Sequence, residues 1–445
     1  MKCRWISRRG LRGRVGAWCV RAGAGLCGLA TVLTAAAYPL DGDAYTGITR
    51  LVGYRLAADG EIRGPRQAPG ARLPLAQVLP RLTTDQADFI LPEPDPKWSQ
   101  QIKALLGPES DRYGLAVLDL SDRDAPRYAE VNGTQRHGPG SVGKLLVALG
   151  VFQALADVYP DSTAERERVL RESMVTADDF VRTDSHKVPF WDARSRRLSW
   201  RALAEGDTAT LWTYMDWMLS ASSNAAASTV MRELLLLVHY GRSYPVSGAE
   251  RKRFFSETPR AELGALLARA MHEPVSRNGL DIERIRQGSF FTRTGKQHVP
   301  GTSSYADARE LTRYLLLLEQ GRLVDEFSSR EIKRLLYMTQ RRIRYASSPA
   351  LADAAVYFKS GSFYRCRPEP GFTCGKYQGN VVNWMNSVAI VESPAGARRH
   401  FYLVTVMSNV LRRNSAVEHQ TLGTRLHRLI ESAHSKPPPA SESGR

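Results

Sequence analysis

The chain of 445 residues is long enough for one large domain with extensions or for two domains, and its 43% hydrophobic content supports a sizeable buried core, which excludes a disordered chain. Lys and Arg number 62 against 45 Asp and Glu, a formal charge of +17. The two signs are interspersed and no stripe of stacking aromatics accompanies the basic residues, a pattern that argues against a nucleic-acid partner and allows only loose attraction to an anionic envelope surface.

The first 37 residues carry Lys2, Arg4, Arg8, Arg9, Arg12, Arg14 and Arg21 with no acid, then an apolar run from Ala22 to Ala37. This is the pattern of a secretory signal, with an uncleaved membrane anchor as the alternative because the run is marginally long enough to span a bilayer. Ser7-Arg8-Arg9-Gly10-Leu11 resembles a twin-arginine export signal, although Arg12 stands where an apolar residue is usual. Trp18 before Cys19 and Leu26 before Cys27 argue against lipidation. Cys366 and Cys374 are then the only cysteines of a processed chain, and in an exported protein they suggest one disulfide, with two free thiols as the alternative.

Residues 38–96 are rich in Gly, Pro and Arg and read as an extension in which Tyr45 to Leu56 supplies a strand. A domain over residues 97–435 opens with a helix from Ser99 to Leu106. A hairpin follows, Tyr113 to Leu120 and Arg127 to Val131, joined by Ser121-Asp122-Arg123-Asp124. His137-Gly138-Pro139-Gly140 breaks the chain before an apolar helix from Leu145 to Leu155. Asp207 to Leu219 and Ala225 to His239 have helical apolar spacing around a polar hinge, Ser220 to Asn224. Arg309 to Gln320 and Ser328 to Tyr337 are two further amphipathic helices. Ala354 to Lys359, Ser387 to Glu392 and Phe401 to Ser408 read as strands, Val417 to Ala433 as a closing helix, and residues 436–445 as a disordered tail. A hairpin, an all-helical middle and a return to strands predict an α+β fold, one antiparallel sheet beside a helical lobe.

Three short motifs punctuate this order: Ser141-Val142-Gly143-Lys144 at the first turn of the buried helix, Ser222-Ser223-Asn224 at the hinge, and Lys359-Ser360-Gly361 beside the strands. An SxxK alone arises by chance about once in a chain this long. The ordered triplet resembles the motifs SxxK, SxN and K[ST]G of the penicillin-recognising serine enzymes, the class A-like serine β-lactamases and the penicillin-binding DD-peptidases. In SxxK the two side chains share one helix face, and a lysine can act as a base only where burial or a nearby cation disfavours its ammonium.

The resemblance implies a β-lactamase/transpeptidase-like fold and an exported hydrolase that opens β-lactam rings through Ser141, with Lys144 as base and Ser222 passing a proton to the leaving nitrogen. Asn224 would hold the substrate amide, Lys359 and Ser360 would meet the substrate carboxylate, and Gly361 would let the substrate lie close. The amides of Ser141 and Ser362 would form the oxyanion hole. The alternatives are a D-Ala-D-Ala carboxypeptidase or transpeptidase and a penicillin-binding receptor without turnover. The family's ExxLN stretch, which carries a deacylating glutamate, is missing. Glu273-Pro274 with Asn278 is its nearest echo, and Glu257, Glu262 and Glu283 are other choices. Arg293-Thr294-Gly295 is set aside as a third motif because helices follow it. No HExxH, GxxxxGK[ST] or strand-following GxGxxG occurs, so no metal or organic cofactor is implied.

Overall fold

Strands from both ends of the chain meet in one antiparallel sheet, and the helices between them supply the wall that faces it. The structure, a computed structural model, describes residues 41–65, 67–339 and 342–435, so the leader and tail readings lie outside the described residues. The helices are α1 Asp43–Thr46, α2 Arg50–Ala58, α3 Pro96–Leu106, α4 Lys144–Val158, α5 Thr163–Glu172, α6 Leu211–Leu219 and α7 Asn224–Tyr240. They continue as α8 Gly248–Glu257, α9 Arg260–Arg277, α10 Arg293–His298, α11 Ala308–Glu319, α12 Glu326–Tyr337 and α13 Ser415–His434. The strands are β1 Tyr113–Asp119, β2 Arg127–Val131, β3 Met174–Thr176, β4 Lys187–Asp192, β5 Arg197–Ala202, β6 Thr208–Thr210, β7 Ala355–Arg365, β8 Val382–Ser393 and β9 His400–Asn409.

The main sheet has the order β2-β1-β9-β8-β7, which leaves β7 on an edge. Its residues alternate between two cores. Leu115, Val117, Val391, Val404 and Val406 face α3 and α13, whereas Ala116, Leu118, Ile390, Leu403 and Met407 face the helical lobe. Both faces being covered, the strands read as continuous apolar runs instead of alternating ones. The α+β reading with an antiparallel sheet holds, and the sheet has helices on both faces.

Three local readings are corrected. Tyr45 to Leu56 is helical on both sides of a short break at Gly47–Thr49: Leu51 and Tyr54 of α2, fully buried, are three residues apart, the spacing of a helix face and not of a strand. The middle of the chain is not all-helical, because β3 pairs with β6 and β4 with β5 in two small sheets. Asp207 to Leu219 is accordingly split. Thr208–Thr210, rich in β-branched residues, is strand β6, and Thr210 caps α6 by accepting from the Thr213 amide.

Residues 41–96 pack into the same core as the rest. Tyr337 accepts from the Leu73 amide at 2.9 Å and donates to the Gly70 carbonyl at 3.1 Å. Arg81 grips Glu392 at 3.0 Å, and Lys333, wholly buried, lies 2.8 Å from Glu392 and 2.6 Å from Glu319. Such a buried ionic knot holds its geometry because breaking one partner strands the others' charge. Deeper in the fold, the Arg50 guanidinium on α2 meets both oxygens of Asp216 on α6 at 2.6 Å and the Met338 carbonyl at 2.7 Å. Asp216 lies one turn before Ser220, whose amide it receives at 2.7 Å through its carbonyl. The segment before the hairpin thereby braces the helix that leads to the second motif.

Candidate active site

Twelve of the fifteen residues of α4 are buried, so Lys144, its first residue, enters the interior with the helix and is 0% exposed. Ser141 precedes it in a tight turn, Gly140–Gly143. Lys144 Nζ lies 2.9 Å from Ser141 Oγ, 2.7 Å from the Ser222 carbonyl oxygen and 2.8 Å from Asn224 Oδ1. Burial pushes this amine down to about 7, with the Asp184 carboxylate working against the shift. Burial is the leading cause of that shift. A neutral amine has two N–H groups and one lone pair: the two carbonyl-type oxygens take the former and leave the latter for Ser141.

Ser222 stands in the left-handed region with φ +61°, a conformation costing a serine about 1–2 kcal/mol. Its carbonyl meets Lys144, while its Oγ receives a hydrogen bond from Lys359 Nζ at 2.8 Å. Lys359 also donates to the Ser360 carbonyl at 2.8 Å. Burial, then the charges of Lys144 and Arg344, hold the Lys359 ammonium well below the lysine range. The neighbouring Ser223, not Ser222, caps α7 by accepting from the Ala226 amide at 3.1 Å. Asp184 receives the Ser223 hydroxyl and the Ala225 amide, both at 2.9 Å, and so fixes the start of α7. Burial alone would raise Asp184, yet His186 and these donors keep it below the usual carboxylate range.

The third motif lies inside β7 and not at its end. A Cβ on Gly361 would fall 2.4 Å from the Pro139 carbonyl oxygen and 2.8 Å from the Ser141 amide nitrogen. One on Gly140, at φ +52°, would fall 3.1 Å from the Ser362 amide nitrogen. Only glycines allow this approach, which sets the Ser141 and Ser362 amides on the two sides of one narrow space. Asn386 on β8 donates to the carbonyls of Gly138 at 2.8 Å and Pro139 at 2.9 Å, tying the turn before Ser141 to the sheet.

A model of the beta-lactamase enzyme family matches residues 97–428. The chain belongs to that family. Among solved structures, TLA-3 extended-spectrum beta-lactamase is 12% identical with a TM-score of 0.50, covering 76% of this chain and 99% of that one. A class A beta-lactamase from Bacteroides cellulosilyticus is 16% identical with a TM-score of 0.48, covering 76% and 97%. PBP-A is 15% identical with a TM-score of 0.46, covering 77% and 100%. At these identities the likeness is one of fold. No curated protein matches the sequence.

In this beta-lactamase-family chain the three motifs line one cleft of about 950 Å³. Ser141, Ser222, Asn224, Lys359, Ser360, Gly361 and Ser362 all border it, with Lys144 buried behind Ser141. Several neighbours belong to no motif. Arg344, buried in the loop before β7, donates to Ser362 Oγ at 2.9 Å and stacks 5.0 Å from the Tyr377 ring. Phe291 lies 4.8 Å from Lys144 Nζ. Gln287 presses so close to Gly143 that a Cβ there would meet its Oε1 at 2.1 Å. Tyr54 and Pro65 border the cleft from the segment that precedes the family match.

Among the described residues, none that lines the cleft is an aspartate or a glutamate. Glu273 is exposed and faces a separate hollow with Asp157 and Arg277, behind α4. Glu257, Glu262 and Glu283 are also exposed and away from it. The spacing that suggested Glu273 reflects an exposed face of α9. Arg293-Thr294-Gly295 is part of a helix, α10, and offers no strand edge. The structure joins Cys366 to Cys374 in the loop after β7.

Proposed function

We propose that this protein is an active-site-serine hydrolase that opens β-lactam rings by acylating Ser141 and releases the acyl group slowly. The observation that carries the reading is the chain of contacts in which Lys144 Nζ touches Ser141 Oγ and the Ser222 carbonyl, and Lys359 Nζ touches Ser222 Oγ. Lys144 takes the Ser141 proton as Oγ attacks the carbonyl carbon, and the Ser141 and Ser362 amides receive the developing oxyanion. The proton taken up by Lys144 is relayed through the Ser222 hydroxyl, which Lys359 holds by its Oγ, to the leaving nitrogen, so Ser222 ends as it began. Asn224 orients the substrate amide, while Lys359, Ser360 and Arg344 meet its carboxylate. Slow release follows from a cleft whose described lining holds no carboxylate to activate water.

The same lack supports a second reading, a cell-wall D-Ala-D-Ala carboxypeptidase or transpeptidase whose acyl-enzyme passes to a peptide amine. The leader pattern and the Cys366–Cys374 bond support action outside the cytoplasm, in the periplasm or envelope. A time course with a chromogenic cephalosporin tests the function. One equivalent of product per enzyme should appear as a burst, followed by slow turnover, and Ser141→Ala should abolish both. Fast linear turnover from the start would contradict slow release, and hydrolysis by Ser141→Ala would refute the mechanism.

Gln287→Glu is expected to raise the slow phase by about 10²-fold, because it puts a carboxylate on the wall beside Gly143. Single-turnover decay of the penicilloyl-enzyme, followed by mass spectrometry, checks this. An unchanged lifetime would mean that no water sits between that wall and the ester.

A further inference from the structure

The cleft's charge is one-sided beyond what acylation uses. Lys359 and Arg344 suffice for a single substrate carboxylate. Around them the rim adds Lys187 from β4, Lys296 from α10 and Lys376 from the β7–β8 connection, two residues after Cys374, each exposed. Some other basic residues are paired, Arg201 with Asp207, Arg277 with Asp157 and Arg309 with Glu130, and others on the open surface are not; what sets these three apart is their place on one cleft rim. Lys187, Lys296 and Lys376 have no salt-bridge partner among the described residues, and the lining holds no carboxylate to offset them. Three elements remote in sequence thus converge on one low-dielectric concavity with charge of one sign, the arrangement that focuses a field on an incoming anion.

Resting on the acylation reading above, we propose that the acyl donor is a polyanion: besides the carboxylate beside the scissile bond, it carries at least one more carboxylate on the acyl side. A peptide stem with free side-chain carboxylates ending in D-Ala-D-Ala has this chemistry, as does a penicillin bearing a second carboxylate. Lys187, Lys296 and Lys376 receive the extra charge at the rim, where it speeds encounter more than it tightens the bound state.

Three penicillins of one skeleton test this, with phenylacetyl side chains carrying α-hydrogen, α-carboxylate or α-ammonium. The second-order rate of Ser141 acylation is measured at low ionic strength and again in 0.5 M salt, where the screening length is only a few ångströms. The carboxylate form should acylate about tenfold faster than the hydrogen form, and the ammonium form slower than either. Bulk at the α-carbon would move both substituted forms in the same direction, whereas charge moves them apart. The spread should shrink to within about twofold in high salt and in the triple variant Lys187→Ala/Lys296→Ala/Lys376→Ala. Equal rates for the three, with adducts formed on Ser141, would overturn this inference alone. No adduct from any of them would overturn the proposed function and this inference with it.

Discussion

Acylation of Ser141 by a penicillin is expected to accelerate as pH rises through about 7 and then to level off, and Lys144→Met is expected to slow it by about 10³-fold. The sign follows from the amine's state. Below the shifted value Lys144 is an ammonium, all its positions are donors, and nothing accepts the serine proton. Above it the amine is neutral, its two N–H groups still reach the Ser222 carbonyl and Asn224 Oδ1, and the lone pair is free. Burial is the cause, so a lysine returned to water would lose the effect. Stopped-flow acylation rates from pH 5 to 9 check both parts. A flat profile across pH 6 to 8, or a Lys144→Met variant of ordinary rate, would remove Lys144 as the base.

Arg50→Ala is expected to destabilise the fold by about 3–5 kcal/mol, because it leaves the wholly buried Asp216 carboxylate without its guanidinium. Acylation should fall with it, since α6 delivers the Ser222 turn and the Met338 carbonyl, also held by Arg50, precedes the cleft residue Thr339. The double replacement Arg50→Met with Asp216→Leu separates the two effects. It removes both charges together and should recover most of the stability, as apolar substitutes for a buried pair often do. Denaturant unfolding of the wild type, the single variant and the double variant gives the comparison. A single variant as stable as the wild type would show that the pair braces nothing.

The reacting core was legible because its chemistry depends on local spacing. Three residues on a helix bring Ser141 to Lys144, and two across a helix-opening turn separate Ser222 from Asn224. The strands were recognisable from runs such as Val388 to Val391 and Phe401 to Met407, buried on both faces. What stayed hidden depends on distance in sequence. Arg50 and Asp216 are 166 residues apart, and no local pattern marks a buried partner. Residues 38–96 looked like a loose extension because they are rich in Gly, Pro and Arg. Their anchors, Leu73, Leu75, Val78 and Leu82, are too scattered to show a period. Arg344 belongs to no motif and reaches the site through a loop. Glu273, chosen for its spacing to Asn278 as an echo of ExxLN, lies on another face, since spacing along α9 says nothing about which side meets Ser141.

Tyr54 and Pro65 make the N-terminal segment part of the cleft wall, and this couples two equilibria. Whatever occupies the cleft must bias the docking of that segment, and docking must strengthen the occupant by the same factor. The largely exposed stretch from Asp59 to Gly64, with the bond after Arg63 open to trypsin, reports on it. A reversible boronate held by Ser141 should slow tryptic nicking at Arg63, and a chain nicked there should release the boronate faster. Proteolytic lifetime at a site outside the family-matched region would then serve as a gauge of ligand affinity.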